Sequence, residues 1–132
     1  MKVVKHESVI WEKDDTHNME AGFHSDLPSN MSADVMFARI QQGDILPLHW
    51  HTRPLDIDGA DKGFESFFFF RGGHFVISDG SEEREFCVSE PITITFESGI
   101  NNAHSVRNIG SDPLEFQVLC APRFADGEEH LM

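Results

Sequence analysis

The chain has no tyrosine, only two cysteines, and ten lysines and arginines against twenty-three acidic residues. The shortages of cysteine and of basic residues each exclude something. Cys87 and Cys120 lack C-x-x-C spacing and are too few for a disulfide framework. They predict a reduced, cytoplasmic protein in which both thiols are small core residues. The formal net charge of −13 repels phosphate and argues against nucleic acid as a partner. An anionic substrate would need local cations to overcome the same field, and there are few candidates. No apolar run approaches the length of a membrane span. The N-terminus, "MKVVKHESVIWEKDD", carries charges where a signal peptide needs an apolar block, so no membrane partner is expected. Neither G-x-S-x-G, H-E-x-x-H, a P-loop nor a dinucleotide fingerprint occurs.

What is present is a chain of 132 residues, long enough for one domain with a real core. Hydrophobic residues make up 39%, and twelve phenylalanines predict a Phe-rich interior. The acidic excess gathers in "WEKDD" (11–15), "SEERE" (81–85) and "DGEE" (126–129), which read as solvated tails and turns.

From residue 34 onward, short apolar stretches alternate with turn signals. The predicted strands are 34–40, 45–51, 64–70, 74–78, 84–88, 91–96, 104–109 and 114–122, with Asp79-Gly80 a strong hairpin signal. No segment there sustains a helical period. The pattern predicts an all-β domain, an antiparallel sandwich or barrel, over 34–132. Residues 1–33 form an N-terminal extension, with a possible added strand at "SVIWE" (8–12) and a loop at 21–32. In "FESFFFF", alternation puts Phe67 and Phe69 on the face of Glu65 and Phe68 and Phe70 on the other. A sheet apolar on both faces needs outer cover, from the N-terminal segment or a partner subunit.

The stretch "GDILPLHWHT" ends an apolar run in two histidines. Alternate strand residues share a face, so His49 and His51 stand side by side with Trp50 opposed. Two imidazoles joined by Glu65 and His104, each at the start of another strand, would make a mixed nitrogen and oxygen site. Such a site suits Fe(II), Mn(II), Co(II), Ni(II) or Zn(II). Asp56, Asp58 and Asp61 are rival carboxylates, in a polar, glycine-containing loop where solvated turn residues are the ordinary expectation. His6, His17, His24, His74 and His130 show no ligand spacing and read as surface or structural residues.

At these residues the chain resembles the cupin superfamily. Gly43 is followed after five residues by His49-Trp50-His51, Glu65 after six by Gly72, and His104 after three by Asn108. Asp79-Gly80 and "EFQVLCAP" also fit. Two departures stand out. Thirteen residues, "TRPLDIDGADKGF", separate His51 from Glu65 where the family has a short gap, and "FESGINNAH" replaces the Pro-x-Gly of the second motif.

The resemblance implies a jelly-roll barrel with one divalent transition metal ion, Fe(II) foremost, held by His49, His51, Glu65 and His104. It implies Glu65 as ligand or transient base, Phe67 and Phe69 lining a substrate pocket, and a homodimer. Arg53 and Lys62 are candidates to hold a substrate carboxylate, and the insertion is expected to act as a lid or an interface. The activity implied is a dioxygenase acting on a small enol, phenol or keto substrate. A non-redox cyclase, isomerase, lyase or decarboxylase is the alternative, followed by a binding module without turnover.

Overall fold

The computed structural model describes residues 5–23, 34–51, 63–97, 99–121 and 129–132. Within them the β-rich, turn-punctuated sequence forms eleven strands and two short 3₁₀ turns. The strands are β1 (Ile10–Asp14), β2 (Met19–Phe23), β3 (Asp34–Ile40), β4 (Ile45–His51), β5 (Phe64–Arg71) and β6 (His74–Ser78), followed by β7 (Glu83–Cys87), β8 (Ile92–Glu97), β9 (His104–Asn108), β10 (Leu114–Ala121) and β11 (Glu129–Leu131). They form two antiparallel sheets, in the orders β1-β2-β3-β10-β5-β8 and β11-β4-β9-β6-β7. No helix among the described residues is long and apolar enough to cross a membrane.

Sequence reading and structure agree on β3, β4 and β6 end to end. They differ at both termini. The expected loop at 21–32 begins as strand, because β2 runs to residue 23 and pairs with β3. The acidic stretch 126–129 ends in β11, which pairs with β4 through Glu129↔His51, His130↔Trp50 and Leu131↔His49. The cluster at 11–15 lies largely in β1, and 81–85 enters β7. Charge density marked these segments as solvated, but pairing to a neighbouring strand satisfies their backbone groups without requiring buried side chains.

The core lies between the sheets. Phe67, Phe69, Phe75 and Phe116 are its largest fully buried side chains, with Phe69 stacked on Phe75 at 4.2 Å between ring centroids. Cys120 is buried, Cys87 is half-buried, and no disulfide joins them. Two of the glycines singled out above close turns at positive φ: Gly43 at 81° before β4 and Gly72 at 136° between β5 and β6. A Cβ at Gly72 would also stand 3.1 Å from the Leu114 backbone, so a side chain there meets both strain and a clash.

The outer face of β3 and β5 takes cover from the N-terminal segment. The His6 ring packs edge-on against Phe37 and Phe70, at 5.0 and 5.2 Å. Its Nε2 lies 3.0 Å from Glu115, a buried carboxylate also approached by Arg71 and Arg39. Phe64 and Phe68 remain 38% exposed.

Candidate metal centre

The two histidines of β4 reach the interior through an irregularity. Leu46 pairs with Val106 and His49 with His104, so β4 spends three residues where β9 spends two. An extra residue of this kind is a β-bulge, and it shifts the facing of everything beyond it by one. Leu46, His49 and His51 are therefore all buried, although strict alternation would place Leu46 opposite the histidines. Pro47, which cannot donate to the ladder, sits in the irregular step. Its carbonyl accepts from His49 Nδ1 at 2.7 Å.

His104 stands directly across from His49 on β9. Its Nδ1 is 2.9 Å from the Asn102 carbonyl, and the Phe96 ring stacks on it at 3.8 Å. Glu65 comes from the facing sheet, paired in register with Cys120 and Phe96. Three imidazoles from one sheet thus meet one carboxylate from the other. His104 Nε2 is 2.8 Å and His49 Nε2 3.7 Å from Glu65 Oε1, while His51 Nε2 is 3.0 Å from Oε2. The Cys120 thiol approaches Oε2 at 3.5 Å. All four residues are at most 4% exposed, and one donor atom from each lies within 4.8 Å of the others.

Burial alone would raise the pKa of Glu65, but hydrogen bonds from His104, His49 and His51 outweigh it and hold the carboxyl well below its ordinary value. For His49, burial opposes the cation. The hydrogen bond and charge of Glu65, with the Pro47 carbonyl, still raise its pKa. These directions describe a buried anion calling for positive charge.

The donor set fits a divalent transition ion on chemical grounds. A neutral imidazole whose Nδ1–H donates to a carbonyl presents a bare lone pair at Nε2. His49 and His104 are held in this way, with Nε2 facing an ionised carboxylate. Two lone-pair carriers at such distances need a proton or a cation between them. Three nitrogens and one carboxylate oxygen make a set that iron, manganese, cobalt, nickel or zinc accepts.

A cavity of about 160 Å³ opens beside this group. Its apolar lining is Met19, Met36, Leu46, Phe67, Phe116 and Val118, and its polar lining is His49, Glu65, Asp14, His17 and Glu129. Phe67 lines this cavity, whereas Phe69 is fully buried against Phe75 and Phe116, one alternation deeper in the barrel. Arg53, Lys62, Asp56, Asp58, Asp61 and most of the 52–64 insertion lie outside the described residues.

The sequence reading leaves His17 among the surface or structural histidines and Asp14 and Glu129 in solvated acidic clusters; the structure brings the three together at this cavity. His17 Nδ1 is 2.6 Å from Asp14, its Nε2 is hydrogen-bonded to Glu129, and its ring is 6.2 Å from that of His49. Hydrogen bonding to Glu129 is the largest effect on His17; burial opposes it, and Asp14 adds to it, for a pKa of about 9. Glu129 is lowered, as the hydrogen bond and charge of His17 overcome its burial. The available signal was the short polar turn "DTHN" between two strand-like runs, a hairpin that carries His17 to the end of the sandwich.

Two facing antiparallel sheets enclosing a three-histidine, one-glutamate group define a cupin-type double-stranded β-helix with a candidate metal site. No family model and no curated protein matches the sequence. Solved structures do match in fold. A predicted oxalate decarboxylase of Thermotoga maritima aligns with a TM-score of 0.67 at 17% identity, over 92% of this chain and 99% of that one. Streptomyces Pac13, described as a nucleoside dehydratase, aligns with a TM-score of 0.64 at 16% identity, over 100% and 91%. The capsular polysaccharide assembling protein CapF of Staphylococcus aureus gives a TM-score of 0.64 at 14% identity, over 94% of this chain. This chain spans only 31% of CapF.

Proposed function

We propose that this chain is a metal-dependent cupin-type enzyme acting on a small organic molecule that presents oxygen to the ion. The observation that carries the reading is the buried convergence of His49, His51, Glu65 and His104 beside a cavity of about 160 Å³. An engineered cavity of about 150 Å³ admits benzene, so this one suits a body of roughly one ring. When bound, the ion would supply Lewis acidity toward a substrate oxygen, and redox chemistry if it is iron. The protein's part is orientation. Carbonyls fix the His49 and His104 rings, Phe96 braces His104, and Glu65 supplies a second negative oxygen as ligand or proton acceptor.

Dioxygenase chemistry with Fe(II) is our first finer reading, supported by the three-His, one-Glu donor set. A non-redox dehydration, decarboxylation or isomerisation is the second. It draws support from the dehydratase and predicted decarboxylase among proteins of the same fold. Elemental analysis of protein purified without added metal tests both. A stoichiometric transition metal, nearly lost in His104→Ala, is expected. Iron with substrate-dependent oxygen uptake favours the first reading, and zinc without uptake favours the second. Full metal occupancy in His104→Ala would sink the metal-site reading.

A further inference from the structure

The cavity has a second polar group besides the candidate ligands, and its hydrogen bonds limit what it can bind. His17 donates from both ring nitrogens, one to Asp14 and one to Glu129, and its backbone N–H also reaches Asp14 at 3.1 Å. The donors of this group are therefore committed inside it. Acceptor capacity remains, because an ionised carboxylate offers about four lone-pair positions and His17 occupies two on Asp14 and one on Glu129. The charge balance points the same way. As the imidazolium that donates from both nitrogens, His17 offsets only one of the two carboxylate charges. The protein as a whole carries a net charge of −13, which adds no attraction for an anion.

We propose that Asp14, His17 and Glu129 form a ligand subsite of this cavity that accepts a hydroxyl or ammonium group. The same subsite excludes carboxylate and phosphate from that position. The ligand is then a molecule of about one ring whose end at this subsite is neutral or cationic, its apolar body lying on Met19, Met36 and Phe67. Its donor group meets Asp14 or Glu129 within a ring's reach of His49. The inference rests on the proposed metal-enzyme reading only for the ligand's other end.

Two ligand series separate the parts. Metal-free protein is titrated calorimetrically with benzyl alcohol, benzylamine and benzoate. Zn(II)-loaded protein is titrated with the corresponding 3,4-dihydroxy compounds. In both series the hydroxyl and amine members are expected to bind about tenfold or more tighter than the carboxylate. Asp14→Asn and Glu129→Gln, near-isosteric and checked by thermal melt, should each shrink that ratio, and the double variant should bring it to roughly threefold or less. Equal or tighter carboxylate binding overturns the subsite. So does a ratio unchanged in the variants, or no binding by any member. Zinc stoichiometry is read separately: a preference that persists in metal-free protein while zinc fails to bind upholds the subsite and removes the metal-site reading.

Discussion

Asn108 shows how much of this fold can hang on one side chain. It is fully buried at the end of β9. Its Nδ2 donates to the carbonyls of Ile40 and Asp112 at 2.9 and 2.8 Å, and its Oδ1 accepts from the Gly110 N–H at 2.9 Å. One amide thus ties together three segments: the end of β3, β9 itself and the β9–β10 connection. Removing it strands three backbone groups, and each buried group left unpaired costs about 1–3 kcal/mol. Allowing for water entry, Asn108→Ala should lower stability by roughly 2–4 kcal/mol in urea melts. A loss below about 0.5 kcal/mol would mean the three segments hold together without it. At the site, Glu65→Gln keeps the shape and removes the charge. Calorimetric titration should show weaker binding of Mn(II) or Fe(II), because hard ions favour anionic oxygen. Unchanged affinity would place Glu65 outside the ligand set.

Among the elements, the termini contribute what the barrel lacks. The β1–β2 hairpin carries Asp14 and His17, and β11 brings Glu129, so the His17–Glu129 ion pair fastens the hairpin to the last strand. The pH dependence follows from the shifts. His17 rises from 6.5 to about 9 on folding. Its contribution is therefore complete below pH 6.5 and is lost as pH climbs toward about 9. Glu129 is lowered from 4.5, so its contribution is present above pH 4.5 and is lost as pH falls through the lower folded value. In EDTA, the melting temperature of the wild type should exceed that of His17→Gln most between about pH 5 and 6.5. The gap should close by about pH 9. A gap independent of pH would show that packing, not charge, joins hairpin and strand.

The same elements mark what could be read in advance. Strands β3, β4 and β6 were legible because alternation and flanking turns both report them. The convergence of His49, His51, Glu65 and His104 was legible because strand starts and H-x-H spacing mark these residues. β11, three residues long, has no pattern of its own; it exists through pairing with β4 and the stack of His130 on Trp50 at 4.2 Å. The bulge at Pro47 was equally silent. Only the partner strand's register shows that Leu46 and His49 face the same way. Asp14, His17 and Glu129 come together through contacts between opposite ends of the chain, which local composition cannot report.

For the molecule as a whole, an ion bound at the candidate site would support either the fold or only the proposed chemistry. The buried Phe67, Phe69, Phe75 and Phe116 cluster with Ile40, Leu114 and Val106, and burying each such side chain contributes about 1.5–3 kcal/mol. That core needs no ion, so metal-free protein should still unfold in one cooperative transition. An ion bound only by the native state adds RT ln(1 + [L]/Kd), about 2.7 kcal/mol at a hundredfold excess over Kd. For a domain of 132 residues this raises the melting temperature by on the order of 10 °C. The increment should be absent in His104→Ala and should shrink toward about pH 5, because the imidazoles must be neutral to coordinate. Differential scanning calorimetry with and without Zn(II) measures it directly. A metal-free protein with no cooperative transition would show that an ion joining the three histidines and Glu65 is needed to hold the two sheets together.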